Sequence, residues 1–178
     1  MAYLAFNRYF SLSNPKTYNK PNQMALTDAQ IISKYGTPGN ADNFTIMPLP
    51  YPMRIAWDIK TEVRKMQCHE EAVIPFTNVF NQLLSHYGLE NLKTFGIDLF
   101  GGCVNVRTMR GSKTKWSRHS WGIAIDLDPA RNGLKMKAPE AQFSKATYKP
   151  LIDIFYANGF VNYGVEKGFD WMHFELAK

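Results

Sequence analysis

The chain has 178 residues, 45% of them hydrophobic and 20% charged, with a formal net charge of +6 at pH 7. A chain of this length buries enough surface to fold as one globular domain, which excludes a disordered tail, a collagen-like rod and a disulfide-rich miniprotein. Two cysteines, Cys68 and Cys103, are too few for a disulfide framework and read as reduced, buried thiols. The basic balance favours an anionic partner without choosing among nucleic acid, a membrane surface and a cell-wall polymer.

Residues 1–50 read as an N-terminal extension wrapping the core, and 51–178 as the main domain. Met1 to Phe10 has no basic head followed by an apolar run, so no signal peptide is expected. No stretch reaches the roughly 18–20 apolar residues that span a bilayer. Asn14-Pro15, Lys20-Pro21, Thr37 to Asn40 and Pro48-Leu49-Pro50 are turn and breaker signals. Between them Thr27 to Tyr35 predicts a short helix, with Thr27 as N-cap, Asp28 in the first turn and Gly36 as the stop. From Ile55 the spacing of Ile59, Val63 and Met66 predicts a helix. A second helix opens after Pro75, buries Phe76, Val79, Phe80, Leu83, Leu84 and Tyr87, and stops at Gly88.

Ile97 to Phe100 predicts a strand that runs through Gly101-Gly102 to Val104 and Val106. A basic loop follows from Arg107 to Arg118, then an alternating strand from Trp121 to Leu127. A helix over Tyr148 to Asn158 turns Leu151, Ile152, Phe155 and Tyr156 inward, and an aromatic strand from Phe169 to Leu176 ends the chain. This order predicts an α+β domain with a mostly antiparallel central sheet flanked by helices.

The chemistry concentrates in Ser117-Arg118-His119-Ser120-Trp121-Gly122-Ile123-Ala124-Ile125-Asp126-Leu127-Asp128. In a strand, Trp121, Ile123, Ile125 and Leu127 share the bulky face, and Gly122, Ala124, Asp126 and Asp128 the other. A small face ending in carboxylates leaves open space beside unpaired charge, which is costly unless a ligand or cation sits there. His119 reaches the same space. Near the C-terminus, Asp170-Trp171-Met172-His173-Phe174-Glu175 puts His173 and Glu175 on one face, whereas Asp170 needs a bend to join them. Two imidazoles and a carboxylate supply three protein ligands to zinc, with water in the fourth position. A further carboxylate can move the proton. The plain alternative is a satisfied His–Asp pair at a loop–strand junction. Asp128 reads as a strand-end or turn carboxylate, and His69 and His86 as non-ligands on the predicted helices.

Ser117-x-His119-x-x-Gly122-x-Ala124-x-Asp126 followed by Asp170-x-x-His173 resembles the two-part signature of the D-alanyl-D-alanine peptidase group of zinc metallopeptidases. That group shares a fold superfamily with lysostaphin and the sonic hedgehog domain. The resemblance covers roughly residues 50–178 and is strongest to the bacteriophage endolysin branch, which cleaves L-alanyl-D-glutamate bonds of peptidoglycan. It implies one zinc ion on His119, Asp126 and His173, with Asp170 as catalytic base and Ser117 hydrogen-bonded near the metal. It also implies an upstream arginine that steadies the oxyanion or a substrate carboxylate. Arg107 is preferred because it follows the strand directly, and Arg110 is the other candidate. Glu175 is a carboxylate behind the ligands, a solvated strand position or a rival base. Trp116 and Trp121 either stack on sugar or pack in the core.

The function expected from this resemblance is a zinc-dependent peptidoglycan peptidase acting on L-Ala–D-Glu. A D-Ala–D-Ala carboxypeptidase and a non-catalytic wall-binding module are the rivals. The expected product is a monomer made in the bacterial cytoplasm, reaching the wall after release or within the virion, and neither inserting in membrane nor binding nucleic acid. Arg107, Arg110, Lys113, Lys115 and Arg118 form either a solvated loop or a rim for an anionic wall polymer.

Overall fold

A computed structural model describes residues 25–177. The turn signals at Asn14-Pro15 and Lys20-Pro21, and the rest of the extension before residue 25, lie outside the described residues. Helix α1 (Asp28–Tyr35) forms as its caps predict. The Thr27 side chain accepts from the Gln30 N–H, the Gln30 side chain returns to Thr27, and the Gly36 N–H closes on Ile32. Ile31 and Tyr35 are its buried face. No helix among the described residues is long and apolar enough to cross a membrane.

The segment after it departs from expectation. Phe44–Ile55 is strand β1, and Asp58–His69 is strand β2, paired antiparallel with it from Phe44 opposite His69 to Ile55 opposite Asp58. The predicted helix from Ile55 therefore does not form. Ile59, Val63 and Met66 fit helical spacing, but β-branched residues also alternate at Ile59, Thr61 and Val63, which suits a strand. A twelve-residue partner decides between the two. The prolines that read as breakers are accommodated on β1. Met47, Leu49, Tyr51 and Met53 point into the core, whereas Pro48 and Pro50 face outward where the ladder shifts register.

Helix α2 (Val73–Phe95) starts earlier than Pro75 and continues past Gly88, whose φ of 68° kinks it instead of ending it. Its predicted stripe packs inward, with Leu84 half-buried at the margin. Strand β3 (Leu99–Gly102) stops at Gly102, where φ is 116°, so the strand does not run on to Val106. Strand β4 (Ala124–Leu127) leads into the short helix α3 (Pro129–Asn132). Helix α4 (Lys149–Ala157) buries the four residues predicted for it. Strand β5 (Phe160–Asn162), helix α5 (Tyr163–Lys167) and strand β6 (His173–Leu176) complete the described chain.

The six strands form one sheet in the order β2-β1-β3-β4-β6-β5. Every pairing is antiparallel except the short β1–β3 contact, so the α+β expectation holds. The core lies between this sheet and helices α2 and α4, where Phe76, Phe80, Phe155, Phe160 and Phe174 meet. Cys68 and Cys103 are free, buried thiols, as composition suggests.

Candidate metal centre

The register of two neighbouring strands builds the site. Asp126 on β4 lies opposite His173 on β6, and Ala124 lies opposite Glu175. Directly opposed residues, and residues two apart, share one face of a sheet. Asp126, His173 and Glu175 therefore crowd together, and the small Ala124 leaves room for the glutamate. Gly101 on β3 faces Asp126 closely enough that a Cβ there would stand 3.0 Å from the Asp126 Cβ.

His119 arrives from a 3-10 turn, Arg118–Trp121, and not from a strand. Gly122 ends this turn at φ 66°, and a Cβ there would sit 2.7 Å from the His69 backbone nitrogen, so only glycine fits. That turn shortens the predicted Trp121–Leu127 strand to β4. Its bulky face is buried as expected. Ser120, which the sequence did not single out, anchors the turn: its hydroxyl accepts from the Arg107 N–H at 3.0 Å and donates to the Arg107 carbonyl at 2.8 Å.

Three donor atoms converge. His119 Nε2 is 3.2 Å from Asp126 Oδ1 and 3.2 Å from His173 Nδ1, and His173 Nδ1 is 3.0 Å from Asp126 Oδ1. Two ligands about 2.0–2.1 Å from a tetrahedral zinc stand about 3.3–3.4 Å apart, close to the sides of this triangle. The outer ring nitrogens are committed elsewhere. His119 Nδ1 donates to the Cys103 carbonyl at 2.7 Å, and His173 Nε2 donates to Glu175 Oε2 at 3.2 Å. In neutral rings both lone pairs then face Asp126, and three acceptors converge with no proton among them. That arrangement fits a cation, and the carbonyl and carboxylate behind the rings fix their tautomers as partners of metal-bound histidines do. Burial opposes charge on His173, but hydrogen bonds to Asp126 and Glu175 outweigh it and raise the imidazolium pKa to about 10. Burial likewise opposes charge on Asp126, and the two imidazoles overturn this, holding its carboxyl well below the usual range. Among the described residues these three side chains form the one group positioned to hold a metal ion.

Asp170 sits where the sequence required a bend. Its φ is 61°, and its carbonyl accepts from the His173 N–H at 3.2 Å, closing a tight turn. Residues 169–172 are consequently outside β6, not part of a longer strand. The Asp170 side chain is buried, and its Oδ1 has no hydrogen-bond partner among the described residues. Burial raises its pKa; His173 opposes that rise and Asp126 adds to it. Asn162 holds the turn in place, its amide donating to the carbonyls of Trp171 and His173. Neither the asparagine nor the Cys103 carbonyl carries a signal in the sequence, because one acts through packing and the other through backbone.

The remaining candidates are placed differently. Glu175 is 1% exposed, so it is not a solvated strand position. Trp121 is 2% exposed and donates its indole N–H to the Gly36 carbonyl at 2.8 Å, which makes it core and removes it from any sugar-stacking role. Ser117 is buried, and its backbone N–H bonds to Arg107 at 3.0 Å. Arg110 is exposed near the tip of the loop, and the half-buried Arg107 donates to the Thr108 carbonyl. Arg118 leaves the basic loop and turns inward, pairing with Asp28 at 2.6 Å and approaching Glu175 at 3.8 Å. Asp128 is the turn carboxylate expected of it, bonded to Arg131 and Asn132. His69 lies on β2, not a helix, and spends its ring on the Tyr35 carbonyl and the Glu71 N–H.

No curated protein and no solved structure matches the chain. Residues 110–176, the stretch that holds His119, Asp126, Asp170 and His173, match the D-alanyl-D-alanine carboxypeptidase family.

Proposed function

We propose that the protein is a zinc-dependent peptidoglycan peptidase, with residues 51–178 as its catalytic domain and an L-Ala–D-Glu bond of the stem peptide as its target. The observation that carries this reading is the triangle of His119 Nε2, Asp126 Oδ1 and His173 Nδ1, with every side between 3.0 and 3.2 Å. The family match over residues 110–176 points to the same chemistry.

In this reading His119, Asp126 and His173 hold the metal. Zinc bound by such a set lowers the pKa of a bound water towards about 7 and polarises a peptide carbonyl. Asp170 takes a proton on its carboxylate as water attacks and delivers it to the departing amine. Its buried, unpartnered Oδ1 suits that task, because burial raises its affinity for the proton it must carry. Glu175 and the Cys103 carbonyl keep the imidazoles in the tautomers that the metal needs. Arg107 is the candidate to steady negative charge on the substrate, with Arg110 as the other.

The match of residues 110–176 to the D-alanyl-D-alanine carboxypeptidase family favours a second reading, a D-Ala–D-Ala carboxypeptidase. Mass spectrometry of purified peptidoglycan digested with and without a chelator separates the two. New chelator-sensitive Ala and Glu termini support the endopeptidase. Loss of the terminal D-Ala alone supports the carboxypeptidase. No product from several wall types by the zinc-loaded protein overturns both and leaves a wall-binding role.

A further inference from the structure

The cations around the site are not equivalent. Arg118 is committed within the fold, donating to Asp28 at 2.6 Å and to the Leu26 carbonyl at 2.9 Å. The Arg107 guanidinium donates to the Thr108 carbonyl at 3.2 Å. Lys167 differs from both. It closes α5 one helical turn after Tyr163, and its Nζ stands 3.1 Å from the centre of the Tyr163 ring. That ring packs against the His173 ring with centres 4.3 Å apart. The two distances cap the separation of Nζ from the His173 ring centre at about 7.4 Å. Among the described residues the ammonium makes no hydrogen bond and no ion pair. Burial lowers its pKa against the pull of Glu175, and Arg118 repels it while Asp170 attracts it. An exposed ammonium, seated on an aromatic face beside the site and bonded to no carboxylate among the described residues, is placed to receive an anion from solution.

We propose that Lys167, seated on Tyr163, is a specificity residue that binds a free carboxylate on the substrate residue following the scissile bond. This rests on the peptidase reading above. Both bonds weighed there present such a group. In D-Ala–D-Ala it is the chain terminus, and in L-Ala–D-Glu it is the α-carboxylate of a glutamate linked onward through its γ-carboxyl. Lys167 therefore reads the feature the two substrates share, and it discriminates against peptides in which that carboxylate is amidated.

The test uses the zinc-loaded full chain and paired synthetic stem peptides that differ only in carrying a carboxylate or a carboxamide on that residue. The wild type is expected to prefer the acid by about 10- to 100-fold in kcat/KM, the range of a charge-assisted contact. Lys167→Met loses that preference, mainly through a higher KM for the acid, and keeps its rate on the amide within about twofold. Lys167→Arg, which retains the cation, keeps most of the preference. Equal losses on both peptides, or no loss on either, overturn the assignment. If the wild type cuts neither peptide, the peptidase reading falls first and takes this assignment with it.

Discussion

Strands β4 and β6 and the β1–β2 hairpin belong to one sheet and follow opposite rules. Each strand of the hairpin is twelve residues long: β1 turns Met47, Leu49, Tyr51 and Met53 onto the core, whereas β2 is exposed on both faces from Asp58 to Lys65 except for the half-buried Val63 and buries only its last residues, Met66, Cys68 and His69. β4 and β6 are four residues each, and buried except for the half-buried Asp126, yet they carry Asp126, His173 and Glu175. Burying ionisable groups is expensive unless they are paired, so a strand placed for stability alone would not carry three. The hairpin buries apolar side chains mainly along β1 and leaves the charged side chains of β2 in water. The site strands place their polar groups where they converge. Pairing is the same in both regions. What differs is whether the polar side chains point at one another.

The sharpest way to break this contrast is to remove a converging group. His119→Ala takes one corner from the triangle and is expected to lose bound zinc, read by metal analysis of the purified protein, and to lower turnover by at least about 10³-fold. Asp170→Asn removes a carboxylate that is outside the triangle. It is expected to keep zinc while lowering kcat by about 10²- to 10⁴-fold. The two together distinguish holding the metal from moving the proton. Full activity in Asp170→Asn would transfer the base role to Glu175.

A smaller effect is expected one layer out. Glu175→Gln keeps an oxygen that can accept from His173 Nε2 but removes the charge, and it also ends the approach of Arg118. Zinc affinity should fall about 10- to 100-fold, as is usual when the partner behind a metal-bound histidine is altered. At saturating zinc, kcat should stay within a fewfold of wild type. A large kcat loss that excess zinc does not restore would show that Glu175 takes part in the reaction.

The same contrast separates the elements that local sequence encodes from those that only distant contacts decide. The site strands were legible because their information is local. A period-2 face that runs Ala124, Asp126, and a second that runs His173, Glu175, need only a register to meet. The required bend at Asp170 was legible too, since alternation alone would have separated it from His173. Helices α1 and α4 were legible from caps and stripes. The hairpin was not, because Ile59, Val63 and Met66 satisfy two periods. Only the distant β1 partner settles which one is used. Tyr163 and Lys167 were missed for a related reason. Their helix is five residues long, and the contact with His173 joins elements whose proximity no local pattern encodes. Of the two roles open to Trp121, stacking on sugar or packing in the core, the structure takes the second, and the sequence could not choose because the partner is a backbone carbonyl, that of Gly36.

The mildest test lies on the hairpin and sharpens the comparison from its other side. Ile59 is 59% exposed on β2, whose outer edge pairs with nothing among the described residues. Ile59→Thr preserves β-branching and hence strand preference, while removing apolar surface that water already covers. Stability should stay within about 0.5 kcal/mol of wild type, a shift in Tm of no more than about 2 °C, and kcat/KM on soluble peptide should not change. Should the substitution instead weaken hydrolysis of intact walls while sparing the soluble peptide, the outer face of the hairpin would be a contact for the polymer. The division between a converging half-sheet and a plain scaffold would then have to be redrawn, because exposed side chains that never meet one another would still share a ligand.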